Sequence, residues 1–214
     1  MGMKERRQRE IEERRAQILE AAKQVLFEHG IRRASIKKIA RIAELGVGTI
    51  YFYFKNKQDL FIALQEEGLM LLSHSIRQAA TQGNGPVENL RNIAYAYLKF
   101  CETEKDYFDI LNYFLSTPDI IFESALKQQV DDLGSQILIH VIDAIDDGVK
   151  HCIFRKVNGK RYAVAFWGLL HGILHFKKMG KTILQGDDFS RLYHSSVETF
   201  IRGLSLQTGD PVGP

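Results

Sequence analysis

Hydrophobic residues recur along the chain at steps of three and four, the spacing that gathers them on one side of an α-helix. The last stripe of this kind is the sharpest, and it consists of Phe189, Leu192, Tyr193, Ser196, Val197, Phe200, Ile201 and Leu204. The first stripe consists of Ile11, Ile18, Leu19, Ala22, Val25 and Leu26. Gly30 follows it at the position where glycine commonly ends a helix. Only four prolines interrupt the 214 residues. The pattern predicts an all-α fold of about nine helices.

Two short helices are predicted between the first and the fourth. Ser35 is the expected N-cap of one, because its hydroxyl can accept from the free N–H groups of a first turn. A break at 44–46 separates it from the second, over 47–54, and Asn56 should cap the longer helix that follows. Two short helices with a tight break form a helix-turn-helix, whose second helix enters the major groove of DNA.

The remaining chain predicts further helices joined by polar connections. Residues 81–86 form the clearest loop, and residues 150–160 form a second connection. The segment 162–177 is apolar nearly all round. The end of the chain, residues 207–214, is expected to be a disordered tail.

The charge is divided unevenly along the chain. Residues 1–57 carry 14 Lys and Arg against 7 Asp and Glu, whereas residues 58–214 carry 15 against 19. A basic quarter suggests a module that binds a polyanion, although a solvated helix face gives the same balance. Lysines also stand in the first turns of two predicted helices, where each opposes the helix dipole by about 0.3–1 kcal/mol. Phosphates of DNA would relieve that mismatch at Lys37, Lys38 and Lys57, although Asp59 partly offsets the last of them.

The cysteines and the apolar runs bear on the compartment. Cys101 and Cys152 belong to no metal-binding or redox motif, and free thiols suit a reducing environment. The N-terminal residues lack an apolar signal segment, and the longest apolar run, residues 163–170, is too short to span a bilayer. We therefore expect a cytoplasmic protein without membrane contact and without a cofactor.

Four aromatic residues follow one another at 51–54. At about 100° per residue, Phe54 shares a face with Ile50 and can join a core, while Tyr51 and Tyr53 point elsewhere. An outward phenol can bond a phosphate or pack on a thymine methyl group. Covering the start of the next helix is an equally good interpretation of the two tyrosines.

The segments GTIYFYFKNKQDLF and ILEAAKQVLFEHGIRRASIKKIA closely resemble the helix-turn-helix of the TetR family of transcriptional regulators, over about residues 15–62 without gaps. The resemblance implies an N-terminal three-helix DNA-binding domain, placed here at residues 1–57. It also implies a C-terminal helical domain for ligand binding and dimerisation, placed at residues 58–206.

The resemblance also implies roles for individual residues, carried over by position. Ser35, Thr49, Tyr53 and Lys57 would contact phosphates, and Lys37, Val47, Gly48 and Tyr51 would approach base edges. This chain departs from the family at Glu44, where a turn glycine is usual, and at Gly46 and Val47. Few groups on the second helix can then form hydrogen bonds with bases, so phosphate contacts, thymine methyl groups and DNA shape should carry more of the recognition.

A homodimer is expected, because one helix-turn-helix reads only one half-site of an inverted-repeat operator in double-stranded DNA. The apolar segment 162–177 and the last helix would pair with their copies in a four-helix bundle, an arrangement that the resemblance also implies. The expected interface residues are Phe166, Leu170, Leu174, Leu192, Val197, Phe200 and Leu204.

The resemblance implies a pocket for a small-molecule effector within the helices over roughly 60–175. Polar tips on apolar faces make candidates of Tyr97, Tyr107, Asn112, Tyr113, Gln136, His140, Trp167 and His171, each of which could instead be a core or interface residue. Their aromatic character favours an apolar or aromatic ligand. We expect such a ligand to release the operator, which would make the protein a repressor.

An enzyme and a helical interaction module are the two alternative functions. An enzyme is disfavoured, because His171 and His175 have metal-binding spacing but no third ligand, and nucleophile elbows and phosphate loops are missing. We expect no catalytic residue and no metal site. A helical interaction module that has lost DNA binding is left open by the departures at 44–47. The basic stretch 4–15 fits either an arm that contacts DNA or a solvated helix.

Overall fold

The computed structural model describes residues 2–116, 124–177 and 188–206, and these residues form nine helices. The helices are α1 (Met3–Arg33), α2 (Ile36–Ile42), α3 (Val47–Tyr53), α4 (Lys57–Ala80), α5 (Pro86–Thr103), α6 (Lys105–Ser116), α7 (Ser124–Lys150), α8 (Gly159–Phe176) and α9 (Phe189–Leu204). Within this part of the chain, the only β pairing is an isolated bridge between Phe154 and Ser205. The all-α prediction is therefore confirmed. The predicted tail, 207–214, lies outside the described residues.

The ends of the N-terminal helices follow from local sequence. Gly30 has φ 70° and ψ 162°, a conformation that interrupts the helix within α1 and that glycine adopts without a Cβ clash. The Ser35 hydroxyl accepts from the Lys38 N–H at 3.4 Å and so caps α2. At the start of α4, Asn56 Oδ1 accepts from the Asp59 N–H at 2.8 Å. Both predicted caps are confirmed.

The described residues fall into two compact units. The first contains residues of Met1–Leu69 and Lys105–Val130, and the second contains residues of Met70–Glu104 and Asp131–Pro214. The helix-turn-helix therefore shares its unit with the first half of α4 and with α6.

The core of the first unit joins α1, α2, α3, α4 and α6. Its most deeply buried side chains include Ile18, Ala22, Val25, Ile39, Ile50, Leu60 and Leu64, to which α6 adds Ile110. Because α6 contributes to this cluster, the helix-turn-helix does not complete its core from residues 1–57 alone.

In the second unit, α8 and α9 pack against each other and against α5. The Tyr193 hydroxyl donates to the Ala94 carbonyl at 2.8 Å, and Arg91 and Glu198 form a two-pronged ion pair at 2.6 and 2.8 Å. The Phe166 and Phe200 rings lie 4.9 Å apart. These contacts attach the last helix to the others of its own chain.

This packing revises the predicted dimer interface. The residues Phe166, Leu170, Leu174, Val197 and Leu204 are 0–4% exposed within a single chain, so they are core residues and are not open to a second copy. Leu192 and Phe200 are half-buried. A hydrophobic stripe indicates burial without indicating whether the covering helix belongs to the same chain.

No helix in the described part of the chain has the length and hydrophobicity required to cross a membrane.

Candidate nucleic-acid interface

The turn between α2 and α3 is built on a glutamate in the left-handed region. Glu44 has φ 54°, the conformation for which the usual residue is glycine. The Leu45 N–H donates to the Ala40 carbonyl at 2.9 Å, and the Glu44 N–H donates to the Arg41 carbonyl at 3.3 Å. These two bonds form a Schellman motif, so the tight turn is retained although its glycine is missing. The strain of a side chain at this φ is about 1–2 kcal/mol.

Helix α3 turns one face into the core and the opposite face outward. Ile50 is fully buried, and Phe54, which follows the helix, is 3% exposed, as the spacing predicted. Val47 is 37% exposed and Tyr51 is 51% exposed, and a Cβ on Gly48 would meet nothing within 4 Å. Three of the four residues expected to approach base edges, Val47, Gly48 and Tyr51, therefore share the outward face of α3.

Phe52 is not among the residues predicted to contact DNA, yet it is 77% exposed and is the most exposed aromatic residue of the motif. Its ring meets the Tyr53 ring edge-on, with centroids 5.1 Å apart. A residue two positions from Ile50 is rotated by about 200°, so the helical spacing that placed Ile50 inward also places Phe52 outward. That signal was available in the sequence.

The residues expected to contact phosphates lie around the edge of this face and are less exposed. Ser35, Thr49 and Tyr53 are half-buried, and Tyr53 packs against the core. The Lys57 ammonium lies 5.1 Å from the centroid of the Phe61 ring, and burial lowers the Lys57 pKa. Lys37 is exposed, as a residue that approaches DNA must be.

Helix α1 supports the motif from behind. The Arg15 guanidinium donates to the Tyr53 carbonyl at 3.0 Å and lies 4.4 Å from the centroid of the Phe54 ring. The Gln17 side chain donates to the Ala43 carbonyl at 2.8 Å. Arg15, at the end of the basic stretch 4–15, therefore has a structural role.

The rest of that stretch is an exposed helix with internal polar pairs. Arg6 pairs with Glu10 at 3.0 Å, and Gln8 donates to Glu12 at 2.8 Å. Pairs at this spacing are those expected of a solvated helix. They favour that interpretation of the stretch over an extended arm.

The ligand candidates divide between the two units. Tyr107, Asn112 and Tyr113 belong to the first unit, and Tyr97, Gln136, His140, Trp167 and His171 belong to the second. In the second unit, the Tyr97 hydroxyl lies 2.8 Å from His171 Nδ1, and its ring centroid lies 4.5 Å from that of Trp167. Gln136 is exposed. Of the candidates in the second unit, Tyr97, Trp167 and His171 are in mutual contact through the Tyr97 side chain.

In the first unit, Tyr107 links three helices. Burial, followed by its hydrogen bond to Glu67, raises the Tyr107 pKa to about 12. The Lys23 ammonium lies 4.7 Å from the centroid of the Tyr107 ring, and a Cβ on Gly68 would stand 3.1 Å from Tyr107 Cδ1. Glycine is required at 68 for α4 to approach α6 this closely.

Two buried amides in the same unit lack partners. Asn112 is 9% exposed and Gln65 is 3% exposed, and neither Asn112 Oδ1 nor Gln65 Oε1 has a hydrogen-bond partner. Asn112 was a predicted ligand residue, whereas Gln65 was not, because only packing shows that its polar end is buried. Across the described residues, no group of three or more His, Cys, Asp or Glu could hold a metal ion.

Comparison with known proteins locates the strongest similarity in the motif. Residues 18–64 match the model for bacterial regulatory proteins of the tetR family. The chain is 29% identical over 142 residues to the uncharacterized HTH-type transcriptional regulator YhgD of Bacillus subtilis strain 168, which covers 64% of this chain and 70% of that protein. It is 25% identical over 178 residues to the HTH-type transcriptional regulator AcrR of Shigella flexneri, covering 80% and 81%.

The fold is similar to solved structures over nearly its whole length. The transcriptional regulator FadR from Bacillus subtilis, crystallised in complex with stearoyl-CoA, aligns with a TM-score of 0.74. The alignment covers 88% of this chain and 98% of that one at 20% identity. The similarity therefore extends beyond the helix-turn-helix to the helices that follow it.

Proposed function

Because the chain belongs to the TetR family of transcriptional regulators, we propose that it is a homodimeric repressor that a small apolar or aromatic effector releases from its operator. It is a DNA-binding regulator and not an enzyme. The observation that carries the proposal is the outward face of α3, where Val47, Gly48 and Tyr51 stand exposed on a helix anchored by Ile50. A regulator of this kind acts in the cytoplasm, where its DNA is.

Recognition rests mainly on phosphates, apolar contacts and DNA shape. The side chains of Val47 and Tyr51 can pack on thymine methyl groups, and the absence of a side chain at Gly48 lets the helix backbone approach the bases. Lys37 and Lys57 supply phosphate contacts at the helix starts, together with Ser35, Thr49 and Tyr53.

A second copy supplies the second half-site. The outward face of α8 carries Val164, which is 55% exposed, and the exposed residues Ala165 and Gly168. A Cβ on Gly168 would meet nothing within 4 Å, so another helix can approach closely there. This face supports a dimer in which α8 contacts its copy, with half-sites about 34 Å apart.

The effector acts by shifting the equilibrium between two conformations of the dimer. It must bind the state that fits DNA and the state that does not with different affinities, because equal affinities shift nothing. Helix α4 contributes Lys57–Leu69 to the first unit and Met70–Ala80 to the second, so it is one continuous element that a change in either unit affects. Ligand binding would then change the separation of the two recognition helices in the dimer.

The first experiment selects binders from a random duplex library with the full chain. An inverted repeat among the selected sequences supports the proposal. Affinity for that sequence is then measured at several salt concentrations, with Lys37→Gln beside Arg202→Gln, which removes an equal charge from an exposed site on α9. The Lys37 variant should bind more weakly and lower the salt slope by about 1, because one phosphate contact is lost.

Other outcomes point to different functions. Equal effects of the two substitutions on DNA affinity would show that Lys37 does not contact the DNA. Folded, ligand-free protein that enriches no sequence and shows no salt-dependent binding would favour the helical interaction module. The dimer is tested by sedimentation, where Gly168→Arg should yield monomers if the outward face of α8 is the interface.

A further inference from the structure

Helix α1 extends well beyond the core that it supports. Its first fully buried residue is Ile18, and residues 2–14 are exposed except for Ile11, which is half-buried. At 1.5 Å per residue, the helix begins at Met3 about 22 Å before Ile18. Helices in proteins are stabilised mainly by packing of one face, and these first turns have almost none within the chain. Their sequence therefore indicates what else they contact.

The charged residues of these turns are sorted by helix face. With about 100° of rotation per residue, three basic side chains leave the helix within about 40° of the direction of Ile18, and they are Lys4, Arg7 and Arg14. The glutamates each lie at least about 80° from that direction, and they are Glu5, Glu10, Glu12 and Glu13. The first three residues are called the basic face of α1.

The two sides of the helix also differ in how their charges are paired. Away from the basic face, Arg6 pairs with Glu10 at 3.0 Å, so charges on that side neutralise each other. Lys4 and Arg7 are exposed and form no ion pair with any described residue. The positive charge of the basic face is therefore available to an anionic partner.

The basic face extends from the end of the recognition helix. Ile18 points into the core of the motif, so the basic face is turned to the same side of α1. The 3.0 Å hydrogen bond from Arg15 to the Tyr53 carbonyl fixes where α1 passes the C-terminal end of α3. Arg7 lies eight residues earlier, about 12 Å further along the axis. Tyr53 and Lys57, to which phosphate contacts are assigned above, stand at this same end of α3.

We propose that the basic face of α1 binds the DNA backbone beside the half-site that α3 reads, with Lys4 and Arg7 on phosphates. The inference rests on the proposed function and adds a contact surface to it. Phosphates carry no sequence information, so this surface contributes affinity without specificity. It complements α3, where Val47 and Gly48 offer the bases no polar side-chain group. The glutamate side of the same helix stays in solvent.

The experiment measures DNA binding by the full-length protein with two double variants. Lys4→Gln/Arg7→Gln removes two charges from the basic face. Arg6→Gln/Arg9→Gln is the matched control, because it removes the same charge from the same turns at about 120° and 180° from the direction of Ile18. The ligands are the selected operator, extended by ten base pairs on each side, and a scrambled duplex of equal length. Fluorescence anisotropy gives the affinities at several salt concentrations, and circular dichroism gives the melting temperatures.

The basic-face variant should bind both duplexes about ten-fold more weakly than the native chain does, while the ratio of the two affinities stays the same. The slope of log affinity against log salt concentration should fall by about 2 for each subunit bound, because two phosphate contacts are lost per subunit. The control should bind within about two-fold of the native chain. Neither variant should change the melting temperature, since all four side chains are exposed.

Several outcomes overturn the inference. Equal losses in the two variants would assign the effect to net charge, and native-like binding by the basic-face variant would leave α1 a solvated helix. A loss confined to the operator would indicate contact with bases and not with phosphates. Operator selection by the native chain is the separate test of the proposed function. A basic-face variant that binds as the control does while the native chain still selects its operator refutes only the contact of α1, and a native chain that binds no DNA refutes both.

Discussion

The guanidinium of Arg15 donates a 3.0 Å hydrogen bond to the backbone carbonyl of Tyr53, the last residue of α3. The same group lies 4.4 Å from the centroid of the Phe54 ring. The C-terminal end of the recognition helix is therefore held by a cation, which also interacts favourably with the negative end of the helix dipole. Helix α1 sets the position of α3 through this contact and through the shared core.

Replacing Arg15 with methionine should destabilise the chain by about 1–2 kcal/mol, because the hydrogen bond and the cation–π contact are lost while the aliphatic packing is kept. Urea denaturation measures the change. Arg14→Met is the matched control, because it removes the same charge from an exposed arginine of α1. Equal stabilities of the two variants would show that the Arg15 contact contributes nothing.

The turn glutamate gives a second prediction. Glu44→Gly should raise the free energy of unfolding by about 0.5–1 kcal/mol, because the relief of left-handed strain exceeds the added entropy of the unfolded chain. Glu44→Ala removes the same charge but keeps a Cβ at φ 54°, so it should not stabilise. Thermal melts of both variants test this, and an equal gain from alanine would assign the effect to charge.

The local features of the fold could be predicted because each is decided by a few neighbouring residues. Ser35 and Asn56 are caps because their side chains reach N–H groups three residues on. The inward positions of Ile50 and Phe54 follow from helical geometry alone.

The remaining features depend on contacts between distant segments. Nothing near Ile110 in the sequence indicates that it completes the core of the helix-turn-helix. The stripe residues Phe166 and Val197 were expected at a dimer interface, and packing within the chain buries them instead. The unpaired state of Gln65 likewise depends on packing that no local pattern marks.

The exposed ring of Phe52 gives a third prediction. Phe52→Ala should weaken operator binding about three- to ten-fold through lost apolar contact with DNA, and it should leave the salt slope unchanged, because no charge is removed. Phe27→Ala is the control, since Phe27 is 70% exposed on α1 of the same unit. Affinities are measured by fluorescence anisotropy, and equal losses in both variants would place Phe52 outside the interface.

The half-buried imidazole of His171 predicts a dependence of stability on pH. Burial, followed by the charge of His175, lowers the His171 pKa in the folded chain. As the pH falls, the unfolded chain then takes up the proton first, which stabilises it relative to the folded chain. Stability should be full above the ordinary histidine pKa of about 6.5 and decline as the pH falls through that value towards the lowered one.

His171→Gln should flatten this decline, because glutamine does not titrate and still offers the Tyr97 hydroxyl a hydrogen-bond acceptor in place of Nδ1. His175→Gln should make the decline shallower without removing it, since it eliminates the repelling charge but leaves the partial burial of His171 unchanged. Urea denaturation of the three proteins at pH 8, 7, 6 and 5 gives the free energies of unfolding. A decline in His171→Gln as steep as in the native chain would assign the pH dependence to other groups.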